Sequence, residues 1–483
     1  MNAATASADP NGRLEALRAA AAEELARRDF LSYCVRMDPT YEPARHLVFL
    51  ADRLEALERR EIRRLIVSMP PRHGKSRTCS NMLPSFMLGR RPKQSIVLAS
   101  YAAELAEQNS RKVRELVSDE RYPFLDSEVS PESRAVNRWA TTKGGVVIAA
   151  GIGGGLTGFG ADALIIDDPV ADRAAAESPT IRESTLSWYT DVARTRLHAN
   201  AVQLIAATRW HEDDLIGRIL SSDMGSEWEV INLPAIAEEG DVLGRMPGEA
   251  LWPERFPITE LPSVERGEIS SRSFSALYSG RPQPAEGAIF KASWFEHRYD
   301  ELPPLKMVVT GADCAAKTGV GNDFSAIVTI GSDGKNYCVV DVVRERLEFA
   351  DLARRLVSVC HRHKAEKVYI EDASSGTPLV QELRRTTNLP IIGIPPRGTK
   401  VARAEAVSGL FEAGKVRLPK DAPWLDIFID EFLRFPAGKH DDQVDATSLV
   451  LSQLRRRLSS VEWSFALVSN KSGGDITPFA RPR

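Results

Sequence analysis

The stretch SMPPRHGKS, residues 68–76, decides the fold of the N-terminal half of the chain. It follows an apolar run at residues 65–67 that predicts a buried strand, and it precedes residues 77–88, which predict a helix in spite of Pro84. A strand, a loop ending in Gly-Lys-Ser and a helix form the layout of a phosphate-binding P-loop, because backbone N–H groups at the helix N-terminus point at the phosphates. We therefore expect Lys75 to reach the β- and γ-phosphates and the Ser76 hydroxyl to hold Mg²⁺.

The loop departs from the usual pattern G-x-x-x-x-G-K-[ST] at its first glycine, where Met69 stands. A basic turn ahead of a helix would also explain the tripeptide Gly-Lys-Ser. The P-loop interpretation therefore requires further parts of an ATP site elsewhere in the sequence.

Composition places the chain among globular proteins. Its 483 residues are 43% hydrophobic and 27% charged, which indicates about two to four domains. No apolar run reaches membrane-spanning length, residues 1–12 lack the core of a signal peptide, and the five cysteines form no C-x-x-C pair. These features predict a cytoplasmic protein without a disulfide framework or zinc site. The net charge of −3 means that any nucleic-acid binding must use local basic patches.

Strands and helices alternate through the first 210 residues, which predicts a parallel α/β sheet. The expected helices are 13–28, 43–60 and 102–117, and the expected strands after the P-loop are 94–100, 144–150, 163–166 and 202–207. Residues 151–160 contain a G-x-G-x-x-G at Gly153, Gly155 and Gly158. A dinucleotide fingerprint must open a helix. The next strand begins too soon for one, so we interpret the stretch as a glycine-rich loop.

The strand at 163–166 ends in Asp167 and Asp168. In P-loop ATPases such a strand lies beside the P-loop strand, its first acid helps to hold Mg²⁺, and the next acid can orient the attacking water. A solvated Asp-Asp-Pro turn is the alternative. Because this strand follows a P-loop in the expected order, the two together predict an ATPase.

The third polar cluster is TRWHEDD, residues 208–214, at the end of the strand 202–207. Ligands bind at the carboxyl ends of strands in α/β sheets. His211, Glu212, Asp213 and Asp214 could suggest a metal site, but an acid-rich helix N-terminus is the favoured interpretation.

Proline and glycine become frequent at 234–299, which predicts a linker with some structure near 274–278. A second α/β pattern follows. Its expected strands are 307–313, 324–330, 337–343, 367–370 and 391–394, and its expected helices are 349–363, 378–385, 401–413 and 439–454. Three antiparallel strands followed by alternating helices and strands, with acids at the ends of strands one and four and on the last helix, are the layout of an RNase H-like nuclease.

Those acids are Asp313, Glu371 and Asp442. Two-metal phosphodiester hydrolysis needs carboxylates that converge on Mg²⁺ or Mn²⁺ ions about 4 Å apart. Any one acid could instead be a solvated turn or a helix cap, so the interpretation depends on all three. The supporting candidates as metal ligands are Asp323, Asp372, Asp441 and Asp445.

Six segments resemble the large terminase subunit of tailed phages, or its equivalent in a prophage or gene-transfer agent. They are PPRHGKS (70–76), GLTGFGADALIIDDP (155–169), ATRWHEDDLIGRI (207–219), FSALYSGRPQPAEGAIF (274–290), VYIEDASSG (368–376) and FPAGKHDDQVDA (435–446). The segments occur in the family's order across residues 40–455.

The resemblance implies an N-terminal P-loop ATPase domain with a parallel-type sheet (1–235), a linker or hinge (236–300), a C-terminal RNase H-like nuclease domain with a mixed sheet (301–460) and a flexible tail (461–483). ATP and Mg²⁺ would be bound by Arg72, His73, Gly74, Lys75, Ser76, Asp167, Thr208 and Arg209. Thr208 and Arg209 would couple hydrolysis to DNA movement. Asp168 would be catalytic, although many P-loop ATPases carry the longer Glu there. Candidates for an arginine finger are Arg134, Arg138 and Arg209.

The resemblance also implies a motor that moves double-stranded DNA through a portal into a procapsid and then cuts it with two Mg²⁺ or Mn²⁺ ions. Its expected partners are DNA, the portal protein, the small terminase subunit and further copies in a ring, a pentamer by resemblance, with no membrane. It would act in the cytoplasm of the bacterial host. The alternatives are a repair-type helicase-nuclease, an RNase H-like transposase or integrase, and a non-enzymatic DNA-binding scaffold.

Overall fold

A computed structural model describes residues 10–125, 127–156, 158–283, 289–314 and 324–469. The chain forms two compact units, Met1–Leu261 with Arg272–Pro284 and Pro262–Ser271 with Ala285–Arg483. It changes unit after Leu261, Ser271 and Pro284, all within the stretch expected to be a linker. Among the described residues, no helix combines the length and the apolar character that a membrane span requires.

The first unit contains a sheet with helices on both faces. Its strands are β1 (Arg64–Ser68), β2 (Ser95–Ser100), β3 (Val129–Ala135), β4 (Arg138–Thr141), β5 (Val146–Gly151), β6 (Ala161–Asp167), β7 (Leu197–Ala207) and β8 (Glu229–Asn232). Its helices are α1 (Pro10–Arg28), α2 (Phe30–Met37), α3 (Arg45–Glu58), α4 (Leu83–Arg90), α5 (Ala103–Val117), α6 (Arg173–Glu177), α7 (Pro179–Ser187), α8 (Leu215–Ser221) and α9 (Ser271–Leu277).

The strand order is β3-β4-β5-β2-β6-β7-β1-β8, and only the β3–β4 and β4–β5 pairings are antiparallel. This order corrects one prediction. The strand that ends in Asp167 does not lie beside the P-loop strand, because β7 pairs with both, placing Leu204 opposite Leu65 and opposite Ile165. Residues 202–207 of β7 are fully buried, and all except Gln203 are apolar, as is usual for a central parallel strand. The carboxyl ends of β6, β7 and β1 nevertheless meet at one edge.

The predicted helix after the P-loop is present and contains a local irregularity. Residues 77–82 form a π-helical turn, in which the Leu83 N–H donates to Thr78 O, one residue farther back than in an α-helix. Pro84 follows directly in the first turn of α4, where it has no N–H to donate to the preceding turn. The π-turn thus allows a continuous helical segment to contain a proline.

The second unit contains a mixed sheet in the order β14-β13-β10-β11-β12-β15-β9. Its strands are β9 (Arg298–Tyr299), β10 (Met307–Asp313), β11 (Ser325–Ser332), β12 (Tyr337–Glu345), β13 (Lys367–Glu371), β14 (Ile391–Ile394) and β15 (Val416–Pro419). Its helices are α10 (Phe349–His363), α11 (Gly376–Thr386), α12 (Lys400–Glu412), α13 (Leu425–Arg434) and α14 (Asp442–Ser469). The predicted antiparallel trio β10-β11-β12 is present, and β13 and β14 run parallel to β10.

Helix α14 lies directly against β10. A Cβ added to Gly311 would come 2.3 Å from Val450 Cγ2 and 3.4 Å from Ala446 O, so this close approach requires glycine. The contact fixes the first turn of α14 near the carboxyl end of β10. The helix begins at Asp442 and continues to Ser469, beyond the predicted end near residue 454.

Candidate functional site

The P-loop side chains meet the two acids at the end of β6. Lys75 Nζ lies 3.4 Å from Asp167 Oδ1 and also donates to Asp168 Oδ1, and Ser76 Oγ donates to Asp167 Oδ1 at 3.1 Å. Only 6% of the Lys75 side chain is exposed. The structure therefore brings together four residues that the sequence predicts for one ATP site.

Burial and charge act in opposite directions on this cluster. Burial lowers the pKa of Lys75, but the carboxylates of Asp167 and Asp168 outweigh it and raise the pKa above its usual value. Burial raises the pKa of Asp168, and the Lys75 ammonium only partly offsets that rise. Lys75 thus stays a cation, and Asp168 is a stronger proton acceptor than an ordinary aspartate.

The backbone at this site occupies uncommon conformations. Arg72 and Gly74 have positive φ angles of 65° and 93°, and Asp168 lies at φ 44°. A non-glycine residue in the left-handed region costs about 1–3 kcal/mol and is held there by surrounding contacts. At Asp168 these contacts are the Ala206 O that accepts its N–H at 2.9 Å and the Thr208 N–H that donates to Oδ1 at 2.8 Å.

Two further side chains support the site, His73 in the P-loop and Asn109 on α5. The His73 ring donates to Pro71 O at 2.8 Å and packs on Phe256 with ring centroids 4.6 Å apart. Asn109, on α5, donates to Asp167 Oδ2 at 3.3 Å, and no sequence pattern had pointed to it. His73 therefore shapes the loop through its ring, and Asn109 fixes the carboxylate of Asp167.

Arg209 is held within its own loop. Its Nε donates to Asp214 Oδ2 at 2.6 Å, and only 10% of its side chain is exposed. Asp214 also caps α8, where its Oδ1 accepts the Gly217 N–H at 2.9 Å. The favoured interpretation of residues 211–214 as the start of a helix is therefore confirmed.

The other two candidates for an arginine finger were Arg134 and Arg138. Arg138 lies over the Phe159 ring, with its Cζ 4.3 Å from the ring centroid, and the side chain of Arg134 is outside the described part of the structure.

A cleft of about 700 Å³ opens above the P-loop. Lys75, Asp168 and Thr208 line it, together with other residues of the P-loop and α3. Trp252 and Arg255 line it as well, although sequence analysis assigned them to a linker. Because that stretch is rich in proline and glycine, its sequence indicates a linker and not a part of the site.

The second cluster of acids lies in the other unit. Strands β10 and β13 pair in parallel with Ala312 opposite Ile370, so Asp313 and Glu371 end neighbouring strands at the same edge. Burial raises the pKa of Asp313 well above its usual value, and the negative charges of Asp445, Glu371 and Asp442 raise it further, whereas Lys400 opposes them. The three predicted acids therefore lie close enough to Asp445 for their negative charges to interact.

Two cations on the first turn of α12 lie among these acids. Lys400 Nζ is 2.6 Å from Asp441 Oδ1 and 2.8 Å from Asp445 Oδ2. An Arg403 nitrogen is 2.9 Å from Asp445 and 3.2 Å from Glu371. Within the described ranges, no three His, Cys, Asp or Glu side chains already stand as a preformed metal cage. The carboxylates are held by protein cations instead, which the sequence did not predict.

The remaining candidate ligands differ in position. Asp372 accepts a 2.7 Å hydrogen bond from Thr377 Oγ1 in the first turn of α11, which engages one of its oxygens outside the cluster. Asp323 lies outside the described residues. The donor set that remains consists of carboxylate oxygens in excess over the two cations. Such a set fits a hard divalent cation such as Mg²⁺ or Mn²⁺.

Comparisons with solved structures found large terminases of bacteriophages. One crystal form of the large terminase of a thermophilic bacteriophage is 13% identical, with 83% of this chain and 97% of that chain covered at a TM-score of 0.51. The large terminase of bacteriophage HK97 is 13% identical over 83% of this chain and 93% of that chain, with a TM-score of 0.34. The large terminase nuclease of thermophilic phage G20c, with bound zinc, is 20% identical over 34% and 98%, with a TM-score of 0.27. A comparison with curated proteins gave no match.

Two family models match the two halves of the chain. Residues 66–297 match the model described as terminase large subunit, T4likevirus-type, N-terminal, and residues 310–454 match the model described as terminase RNaseH-like domain. The first range contains the P-loop, Asp167 and Asp168, and the second contains all the acids around Asp313. The predicted fold class, a P-loop ATPase sheet followed by an RNase H-like mixed sheet, is thereby confirmed, and the chain belongs to the family of large terminase subunits.

Proposed function

We propose that this protein is an ATP-driven motor that packages double-stranded DNA and a two-metal endonuclease that cuts it. The observation that carries the proposal is the pair of side-chain clusters, one per unit: Lys75 with Asp167 and Asp168 in the first, and the carboxylates around Asp313 in the second. The first is suited to bind a triphosphate and the second to bind divalent cations, so hydrolysis and cutting are separate chemistries on one chain.

ATP binding would rearrange the first cluster. Backbone N–H groups of the P-loop and the Lys75 ammonium would bind the phosphates, while Ser76 and Asp167 would hold a Mg²⁺ ion that would offset the negative charge of the triphosphate. Lys75 contacts Asp168 in this structure, so it must turn from that carboxylate toward the γ-phosphate. Asp168 would then be free to orient a water and take its proton, consistent with its raised pKa.

The loop after β7 supports a coupling role for Thr208 and Arg209. The Thr208 N–H binds the same Asp168 oxygen that Lys75 contacts. Arg209 joins this loop to Asp214, which caps α8. A change at Asp168 on ATP binding would therefore be transmitted to α8 by two hydrogen bonds and one ion pair.

In the nuclease, Asp313, Glu371 and Asp442 would hold the two ions, with Asp441 and Asp445 as additional ligands. Bound there, the ions would activate a water and stabilise the leaving oxygen of the phosphodiester. Lys400 and Arg403 would have to release the carboxylates that they now contact. Released, both cations would face a DNA phosphate, which attracts ammonium and guanidinium groups.

Family membership supports the proposed partners: double-stranded DNA, a portal protein, a small terminase subunit and further copies of this chain in a ring on the procapsid. The proposed place of action is the cytoplasm of a bacterial host. We assign the motor to the unit that carries the P-loop and the nuclease to the unit that carries Asp313.

Two variants test the proposal with purified protein, ATP and plasmid DNA. Lys75→Ala should lower ATP hydrolysis by orders of magnitude, because the cation that binds the β- and γ-phosphates is gone, and it should still cut plasmid with Mn²⁺. Asp313→Asn should lose plasmid cutting and keep ATP hydrolysis near wild type, since it keeps the shape of the side chain and loses the charge that binds the metal. Wild-type ATPase in Lys75→Ala, or wild-type cutting in Asp313→Asn, would contradict the respective assignment. DNA uptake that requires procapsids and portal distinguishes packaging from a helicase activity.

A further inference from the structure

The cleft above the P-loop has an aromatic wall that phosphate binding does not explain. This wall, formed by Trp252, Arg255 and Phe256, lines the same cleft as Lys75. The P-loop supplies charged and backbone groups for phosphates, whereas the wall supplies ring faces and a guanidinium. Rings of this kind bind flat, unsaturated groups rather than phosphate.

Packing holds the two rings of the wall in place. Trp252 is 3% exposed and lies 5.1 Å from the His46 ring, while Phe256 lies 4.6 Å from the His73 ring of the P-loop. His46 in turn donates to the His73 carbonyl at 3.0 Å. The wall is thus anchored to α3 and to the phosphate-binding loop, so its position relative to a bound phosphate is fixed.

Arg255 lies over both rings. Its Cζ is 5.1 Å from the Trp252 centroid and 5.8 Å from the Phe256 centroid, within the range of cation–π contacts. The residue is exposed, and no ion pair with a carboxylate is seen for its guanidinium in the described part of the chain. A guanidinium that is stacked on one side and exposed on the other offers a flat face to a ligand.

We propose that Arg255 and Phe256 form the surface on which the base of ATP stacks. This inference rests on the proposed ATPase function. A nucleotide whose phosphates are held at Lys75 must place its base along the remaining lining of the cleft, and the wall is the aromatic part of that lining. Stacking on aromatic rings and on guanidinium planes is the general way in which proteins hold a base without reading its edge.

The alternative is that Arg255 contacts a phosphate directly, as an arginine beside a P-loop often does. Inorganic tripolyphosphate separates the two, because it carries the phosphates of ATP without the base. We would measure binding of ATP-γ-S and of tripolyphosphate, each with Mg²⁺, to the full-length protein by calorimetry. The variants are Arg255→Ala and Phe256→Leu, with Arg111→Ala, an exposed arginine of α5 outside the cleft, as control.

Base stacking predicts that Arg255→Ala and Phe256→Leu each weaken ATP-γ-S binding by about five-fold or more, and that Arg255→Ala leaves tripolyphosphate binding within about two-fold of wild type. Arg111→Ala should change neither. Equal weakening of both ligands in Arg255→Ala would overturn the inference in favour of a phosphate contact. Unchanged ATP-γ-S binding in both variants would overturn it while leaving the P-loop assignment intact. A wild-type protein that binds neither ligand would overturn both.

Discussion

Asp168 combines an unusual backbone conformation with a contact to the P-loop lysine. Its φ of 44° directs the side chain to Lys75 and to the Thr208 N–H, although aspartate is shorter than the glutamate that many P-loop ATPases carry there. The left-handed turn thus brings the shorter side chain within reach of the P-loop lysine. The departure from the family pattern that the sequence shows is accompanied by a local change in the backbone.

Replacing Asp168 by Asn should separate binding from hydrolysis. The amide keeps the size of the side chain but takes up no proton, so kcat for ATP should fall by about 10²–10⁴-fold. Binding of ATP-γ-S should stay the same or tighten, because Lys75 no longer has this carboxylate as a partner. Steady-state kinetics and calorimetry measure the two effects. Weaker ATP-γ-S binding at unchanged kcat would show that Asp168 binds nucleotide rather than acting on water.

The same residue predicts a pH dependence. Burial raises the pKa of Asp168, so the carboxylate is protonated at a higher pH than an ordinary aspartate. A protonated Asp168 cannot accept a proton from water, and ATP hydrolysis should therefore decline on acidification before the protein unfolds. The Asp168→Asn variant should lack this acid limb in its kcat profile.

At the scale of elements, α12 places two cations beside acids at the end of β13 and at the start of α14. Lys400 and Arg403 are three residues apart in the first turn of α12. Together they contact three of the clustered carboxylates, those of Glu371, Asp441 and Asp445. The two cations therefore compensate negative charge that a divalent ion would otherwise neutralise. This arrangement makes the position of α12 a determinant of metal affinity.

Lys400→Met tests that role. The variant keeps an unbranched side chain and removes the ammonium. Because Mn²⁺ then has no lysine ion pair to displace, calorimetry should show it binding several-fold more tightly. The effect is modest because about half of the Lys400 side chain is exposed. Lys420→Met, which removes an exposed ion pair with Asp300, is the control and should leave Mn²⁺ affinity unchanged. Weaker Mn²⁺ binding in Lys400→Met would show that the ammonium organises the ligands instead.

Elements with strong local patterns could be predicted from the sequence, and those defined by their neighbours could not. Strands β10 and β14 and helix α10 have the predicted bounds, because each is a local pattern: the strands are short apolar runs, and the apolar residues of α10 follow the helical period. The edge strand β3, VSPESRA, was missed because it is polar and contains a proline, which is tolerated at an edge. Helix α2 was missed because eight residues contain too few turns for a helical period to be recognised in the sequence.

The sites follow the same division. The P-loop and the acids at strand ends are local signals, and the sequence located them. The position of β7 between β6 and β1 depends on long-range pairing, so the expected neighbour of the P-loop strand was wrong. Lys400 belongs to its site only because α12 packs there, and Arg255 only because its segment lies beside the P-loop.

At the scale of the whole molecule, the chain enters the second unit twice. Residues 262–271 belong to the unit that carries the nuclease cluster, and the chain then contributes residues 272–284 to the first unit before it returns. Residues 262–271 contact α12 and α14: the Ser271 N–H donates to Glu412 Oε2 at 2.9 Å, and Arg455 of α14 donates to Glu268 O at 3.4 Å. A Cβ added at Gly409 would come 2.8 Å from Ile269 C.

These contacts predict that residues 262–271 stabilise the nuclease unit. A fragment of residues 262–469 should melt about 2–8 °C above a fragment of residues 272–469, the shift expected for about 1–2 kcal/mol in a unit of this size. Gly409→Ala should lower the melting temperature of the longer fragment more than that of the shorter one, since only the longer fragment contains Ile269. Circular dichroism on heating measures both. Equal melting temperatures for the two fragments would mean that residues 262–271 add no stability to the nuclease unit. That unit would then begin only after residue 284.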